Sequence, residues 1–368
     1  MPHLFVDISA HGFGHLAQVA PVLNRLAEQS PDLQLTIRSG LPLERLQQRI
    51  RPPFAHIAAA SDFGYVMHDA VTIDLPATAA AYRTFHADFP ARVAADAQLL
   101  TKLGVDAVFS DVAYLPLAAA AKAGLPALAM CSLNWADLFQ HYFGSQDWAA
   151  PIHADMLAAY RSAPFLRATP GMPMDQLDQR IEIGPIGMEG TTRSAELRKK
   201  VGAGETAQVI MIALGGIPMR LPIEHWPLQE NTHYLVPAAW QPARADFHSI
   251  ESIDWPFVDL LRSVDAVVTK PGYGTFAEAT GNGTAVLYQR RDDWPEQTYL
   301  IDWLRAHARC AEISAHQLAS GKFAPTLDHV LAAAVPPAPT FTGVDAAVRC
   351  LAQHLPISLL TPIKPPLK

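Results

Sequence analysis

Two histidines bracket a glycine-bearing turn near the start of the chain, SAHGFGH at 9–15. An imidazole titrates close to neutral pH, so His15, at the start of a helix, is a candidate general base. Its other use would be to pack against that helix start. The four-residue spacing of His11 and His15 also suits a metal, but a loop running into a helix does not stack the two side chains, and no third ligand stands beside them in the sequence. Ser110-Asp111 ends a later apolar run. Asp111 would either hold an imidazole in one tautomer or N-cap the helix that follows. Leu214-Gly215-Gly216 ends another run, where Gly215 and Gly216 would let backbone amides approach a phosphate or simply turn the chain. The longest constellation is TKPGYGTFAEATGNGTAVLYQRRDDWPEQ at 269–297. Gly272 and Gly274 shape a loop there, and the amides around Thr275 open a helix whose dipole favours a diphosphate. Glu278, one turn on, suits a pair of ribose hydroxyls. Arg290, Arg291, Asp292, Asp293, Glu296 and Gln297 follow the next strand, as a polar lining or as a solvated charged loop. Neither a P-loop nor the G-x-G-x-x-G fingerprint occurs.

These groups need strand ends to carry them, and the pattern supplies the strands. Apolar runs at 3–9, 33–38, 105–109 and 126–131 alternate with helical stretches at 15–28 and 115–123, the latter stopped by Gly124. Further strands fall at 207–213, 233–236, 265–269 and 285–289, with helices at 257–263 and 275–281. Such alternation means right-handed βαβ units and parallel sheets. The expected architecture is α/β: two Rossmann-like, doubly wound parallel-sheet domains facing a central cleft. The first domain spans 1–165, a Pro/Gly-rich linker 166–182, the second domain 183–335. A return helix at 340–355 and an extended, proline-bearing tail at 356–368 complete the chain. Ligands in such folds bind at the carboxyl ends of the strands, where each constellation lies.

Composition narrows the function classes. The chain has 368 residues, half of them hydrophobic, and a formal net charge of −7, which suits two folded domains and excludes a disordered chain. The pI near 6.1 without a basic stripe argues against nucleic acid as partner. No apolar stretch reaches the roughly 18 residues of a membrane span, and no signal peptide is visible. Cys131, Cys310 and Cys350 lack disulfide or metal spacing and read as thiols of a reducing, cytoplasmic compartment.

The motifs resemble glycosyltransferases of the two-Rossmann-domain (GT-B) type. SAHGFGH is similar to the His-terminated loop that opens those enzymes, and the 270–297 segment to their donor-binding segment. HGFGH, the SDV-to-AAAAKAGLP stretch, Asn134-Trp135 and KPGYGTFAEA-to-RRDDWPEQ also resemble the glycosyltransferase-like module of L-arabinokinase-type proteins. The resemblance covers most of 3–305, thinly at 45–100 and 150–205. It implies a nucleotide-diphosphate-sugar donor, a UDP-sugar being the expected one, and a small-molecule or lipid-linked hydroxyl acceptor. His15 would be the base of an inverting transfer and Asp111 its orienting group. Gly215, Gly216, Gly272, Gly274 and Thr275 would hold the diphosphate. Glu278, Glu296, Gln297, Arg290 and Arg291 would hold ribose and sugar, with His11, Gly12, Gly14, Asn134 and Trp135 near the acceptor. Phe63–Tyr65 and Phe139 would shape the acceptor pocket, and Ile253-Asp254-Trp255 would seat the base of the nucleotide. Where the family pattern has Pro three residues after the His, this chain has Gln18. No D-x-D pair occurs, so metal-independent transfer without a cofactor is expected. A non-catalytic sugar-nucleotide sensor and a nucleotide-sugar epimerase are the alternative readings.

Overall fold

The computed structural model describes residues 1–217 and 219–358. By its internal contacts the chain divides into two units. The first comprises Met1–His68, Ile73–Ile186 and the segment from Phe341 on; the second comprises Gly187–Thr340 with Asp69–Thr72.

The first unit begins with β1 (His3–Ile8), α1 (Phe13–Gln29), β2 (Gln34–Ser39), α2 (Leu43–Gln47) and β3 (Ala55–Ile57). It continues with α3 (Leu75–Ala87), α4 (Phe89–Leu103), β4 (Ala107–Ser110), α5 (Leu115–Ala123) and β5 (Ala127–Cys131). The helices α6 (Trp135–Phe143) and α7 (Ala149–Arg161) precede β6 (Phe165–Ala168) and β7 (Arg180–Ile183). The second unit holds α8 (Ser194–Lys200), β8 (Gln208–Ile212), β9 (Thr232–Val236), β10 (Phe247–Ser249), α9 (Phe257–Ser263), β11 (Ala266–Thr269), α10 (Tyr273–Gly281) and β12 (Ala285–Tyr288). It ends with α11 (Gln297–His307), β13 (Cys310–Glu312), α12 (Ala315–Ser320) and α13 (Ala324–Ala332), after which α14 (Thr342–His354) rejoins the first unit.

Among the described residues two sheets form, of seven strands in the order β3-β2-β1-β4-β5-β6-β7 and of six in the order β10-β9-β8-β11-β12-β13. Every pairing of named strands is parallel. The central strands are continuous apolar runs because helices cover both faces of such a sheet. In β1, Leu4, Phe5 and Val6 are fully buried, as are Val209, Ile210, Met211 and Ile212 in β8. Helix α1 buries Leu16, Val19, Ala20, Leu23 and Leu26, a stripe at three- and four-residue spacing. In each sheet the chain order reverses between two central strands, β1 and β4 in the first and β8 and β11 in the second. Those two switch points are where an α/β sheet opens its loops for ligands.

The division between the units does not fall at 166–182. Residues 165–168 and 180–183 pair as β6 and β7 in the first sheet, with Phe165 opposite Arg180 and Ala168 opposite Ile183. The boundary lies after Ile186. Prolines and glycines between these four-residue strands erase any periodicity, and β7 is a largely unburied edge strand whose composition carries little apolar signal. Gly184 and Gly343 touch where α14 returns: a Cβ on Gly184 would meet Thr342, and one on Gly343 would meet the Gly184 carbonyl. Helix α14 then packs on α1, and Arg25 Nε donates to Asp345 at 2.9 Å. The expected tail lies outside the described residues from 359 onward. Among the described residues no helix is long and apolar enough to cross a membrane.

Candidate functional site

At the first switch point His15 and Asp111 meet. Asp111 follows β4, its amide donating to the Asp7 carbonyl at 2.9 Å, and the residue is completely buried. His15 Nδ1 lies 2.8 Å from Asp111 Oδ2, and the Ser9 amide donates to the same oxygen at 3.4 Å. Asp111 caps no helix, since α5 starts at Leu115 with Tyr114 as its N-cap residue and no side-chain cap. Its partner is the imidazole. Burial pulls the His15 pKa down, but the charge of Asp111 and its hydrogen bond outweigh this and hold it well above the usual histidine value. With Nδ1 engaged by the carboxylate, Nε2 is the nitrogen left to exchange a proton, and the pull of Asp111 makes it a stronger base.

A third and a fourth side chain close on the pair. Cys131, at the end of β5, places Sγ 3.9 Å from His15 Nδ1. Gln18, one turn along α1 from His15, donates from Nε2 to Ser132 Oγ at 3.4 Å and lies 3.7 Å from Cys131 Sγ. The expectation that no further ligand atom stands near His15 is thus corrected: the neighbours come from other strands, which spacing along the chain cannot show.

The aromatic groups around the dyad are packed core. Trp135 is fully buried, its ring centroid 5.8 Å from that of His15 and 5.3 Å from that of His11. Its indole N–H donates to Asp62 Oδ2 at 2.7 Å, while Ser9 Oγ donates to Asp62 Oδ1 at 3.0 Å. Burial raises the Asp62 pKa to about 6, against the lowering effect of the Trp135 hydrogen bond. Asn134 N-caps α6, accepting from the Asp137 amide at 2.8 Å. Tyr65, Tyr82, Phe89 and Phe139 are buried and Phe85 is half-buried, and their rings pack against one another. Gly12 is extended, with open space around it, and Gly14 lies inside α1, so neither takes a left-handed backbone.

The second unit's switch point is built largely from backbone. Gly215, after β8, has φ +93°, a conformation that glycine adopts without strain. Gly272 is the N-cap residue of α10 and supplies no side-chain cap, and no acidic residue occupies the first turn. The first turn of α10, Tyr273 to Thr275, is thus a helix N-terminus of the kind at which anions bind. Between the two glycines stands Lys270, which the sequence reading passed over. It is 9% exposed, and its Nζ lies 3.5 Å from where a Cβ on Gly215 would sit and 3.8 Å from the equivalent position on Gly272. Burial, then the charge of Arg291, hold the ammonium pKa well below the usual lysine value, and Glu296 opposes them. The available signal was position: Lys270 is the first residue past a strand at a switch point.

The remaining candidates divide. Glu278 is buried within α10. Arg291 is 7% exposed with its guanidinium 4.5 Å from the Trp294 ring centroid. Arg290 is half-exposed and pairs with Glu312 at 3.4 Å. Gln297 closes its own loop, accepting from the Arg291 amide at 3.0 Å and donating to the Arg291 carbonyl at 3.1 Å; Glu296 accepts from the Trp294 indole at 3.1 Å. Gly216 follows Gly215 in the same loop. Trp255 lies under two cations, Arg193 at 4.8 Å and Lys200 at 5.8 Å.

No protein-family model matches the chain. L-arabinokinase of Arabidopsis thaliana is 24% identical over 339 residues, which cover 88% of this chain. The matched stretch is only 32% of that protein's length. Among solved structures, the calicheamicin glycosyltransferase CalG4 superposes with a TM-score of 0.61 at 14% identity, covering 96% of this chain and 98% of its own. UGT2 of Phytolacca americana, solved with UDP-2-fluoroglucose and pterostilbene, superposes with a TM-score of 0.56 at 14% identity, covering 96% and 94%. Across nearly its whole length, the chain has the GT-B fold of glycosyltransferases.

Proposed function

We propose that this protein is a metal-independent, inverting glycosyltransferase that moves a sugar from a nucleotide-diphosphate-sugar to a hydroxyl acceptor. The buried His15–Asp111 pair at 2.8 Å carries the reading. A carboxylate on Nδ1 fixes the tautomer that leaves Nε2 free to take the acceptor's proton, and it stabilises the imidazolium that results. The acceptor oxygen then attacks the anomeric carbon as the bond to the leaving diphosphate breaks. In the second unit, the α10 amides with Gly215 and Lys270 offer a preorganised place for that leaving charge, the role a metal plays elsewhere. A UDP-sugar is the first donor to try, in line with the ligand of UGT2. The three free cysteines suit action in the cytoplasm. The test is a screen of UDP- and dTDP-sugars by thermal shift, followed by turnover against small hydroxyl acceptors. Loss of turnover in His15→Ala with donor binding kept supports the reading. Stabilisation by no nucleotide at millimolar concentration would sink it, since a saturating ligand adds kilocalories of stability. A second reading, a sugar-nucleotide sensor module, draws on the match to one third of a kinase-named protein; it expects His15→Ala to leave every measurable function intact.

A further inference from the structure

We infer that His15, Asp111 and Cys131 form a binding site for a thiophilic divalent cation of the zinc class. One imidazole nitrogen, one carboxylate oxygen and one sulfur lie within 4.8 Å of one another, from α1 and from the ends of β4 and β5. The 2.8 Å separation of His15 Nδ1 and Asp111 Oδ2 and the 3.9 Å separation of Nδ1 and Cys131 Sγ are close to those of atoms sharing one ion at roughly 2.0–2.3 Å. A sulfur beside an imidazole selects zinc-like ions over magnesium or calcium.

Two buried oxygens point the same way. Asp111 Oδ1 and Gln18 Oε1 accept no hydrogen bond among the described residues, although Asp111 is completely buried and Gln18 is 2% exposed. A buried acceptor left without a partner is costly, and an electropositive guest removes the cost. Asp111 Oδ1 belongs to one of the three ligands, and the Gln18 amide stands beside them, its Nε2 3.7 Å from Cys131 Sγ.

Binding displaces the Cys131 thiol proton and the proton between Nδ1 and Asp111, and both leave to solvent. The thiolate and the carboxylate then neutralise the dication. An occupied site has no Asp111 carboxylate free to orient His15, so the cation inhibits transfer. That consequence rests on the function proposed above; the binding does not.

The experiment is a Co²⁺ titration of the full chain, read as the thiolate-to-cobalt charge-transfer absorption. The C310S/C350S double variant is used so that Cys131 is the sole thiol. A saturable one-to-one band that Zn²⁺ bleaches is expected. Cys131→Ser on that background abolishes the band, and Asp111→Asn weakens binding at least tenfold. Thermal melting checks that each variant folds, with Cys131→Ala as the second choice. No band in the double variant, or an undiminished band after loss of Cys131, overturns the site and leaves a bridging water as the guest of the two oxygens. Cobalt binding without any glycosyl transfer leaves the site standing and removes the proposed function. Transfer activity that Zn²⁺ does not reduce, despite binding, removes the inhibition alone.

Discussion

At the first unit's switch point the candidate groups are side chains: a histidine on α1, an aspartate after β4 and a cysteine ending β5, all deeply buried. At the second unit's switch point the candidate groups are mostly backbone, with Gly215 and Gly272 beside the buried ammonium of Lys270 at the start of α10. Both sheets have the same parallel winding and the same reversal of strand order. The contrast follows from what each place has to do under the proposed function. A proton transfer needs a titratable group whose affinity for the proton is tuned, and only side chains titrate. A diphosphate needs several donors converging on a fixed position, and unencumbered amides supply those at little entropic cost. Removing one side chain should therefore abolish function in the first unit and only weaken it in the second.

The largest effect expected is at the dyad. His15→Ala should lower turnover by about 10²–10⁴-fold, and Asp111→Asn should approach it. The donor dissociation constant, measured by calorimetry, should stay within twofold for both. A loss of donor binding in either variant would break the comparison. Next comes Lys270→Met, which removes a charged donor worth about 1.5–3 kcal/mol, so donor affinity should fall by about 10–100-fold. The pH sign is defined here. The ammonium is the form that binds an anion, and its pKa lies well below 10.5 in the free protein, so affinity should rise as pH falls through that lowered value. Arg291 and Glu296 flank the same group, so the slope is to be read against Lys270→Met, where it should flatten. Gly215→Ala forces a side chain into φ +93° beside Lys270; a loss of about 1–2 kcal/mol in donor binding is expected by thermal shift. Arg290→Ala should be smallest. Its partner Glu312 is half-exposed, and such pairs contribute about 0–1 kcal/mol, so donor affinity should not move beyond twofold.

Much of the scaffold was legible because its signals are local. Helices α5 and α9 run over the residues that periodicity marks, and Gly124 ends α5 in the left-handed conformation with φ 69°. The four-residue strands β6 and β7 were not legible, because proline between them and arginine within them mask a pairing that only the finished sheet rewards. Helices α3 and α4 hide for another reason: their alanine-rich sequence presents a weak stripe. At the site, His15 and Asp111 could be found from strand ends and a motif. Cys131 and Lys270 could not be weighed, since what sets them apart is burial, a property of the assembled fold. Gln297 is a different case. The family resemblance implies a reach toward the donor sugar, and in the fold both ends of its amide are engaged by the backbone of Arg291, a pairing the sequence does not show.

The return of α14 to the first unit has a consequence for how the chain is made. The first unit draws on segments from 1–186 and again on residues after 340, whereas nearly all of the second lies in one uninterrupted stretch. A ribosome releases the first unit's sheet early, but α1 waits for the helix that covers it until α14 has been synthesised. The second unit's own stretch is already out by then. The unit that begins first is thus the one completed last, and a nascent chain stalled near residue 340 leaves the α14-facing side of α1 uncovered for as long as the stall persists.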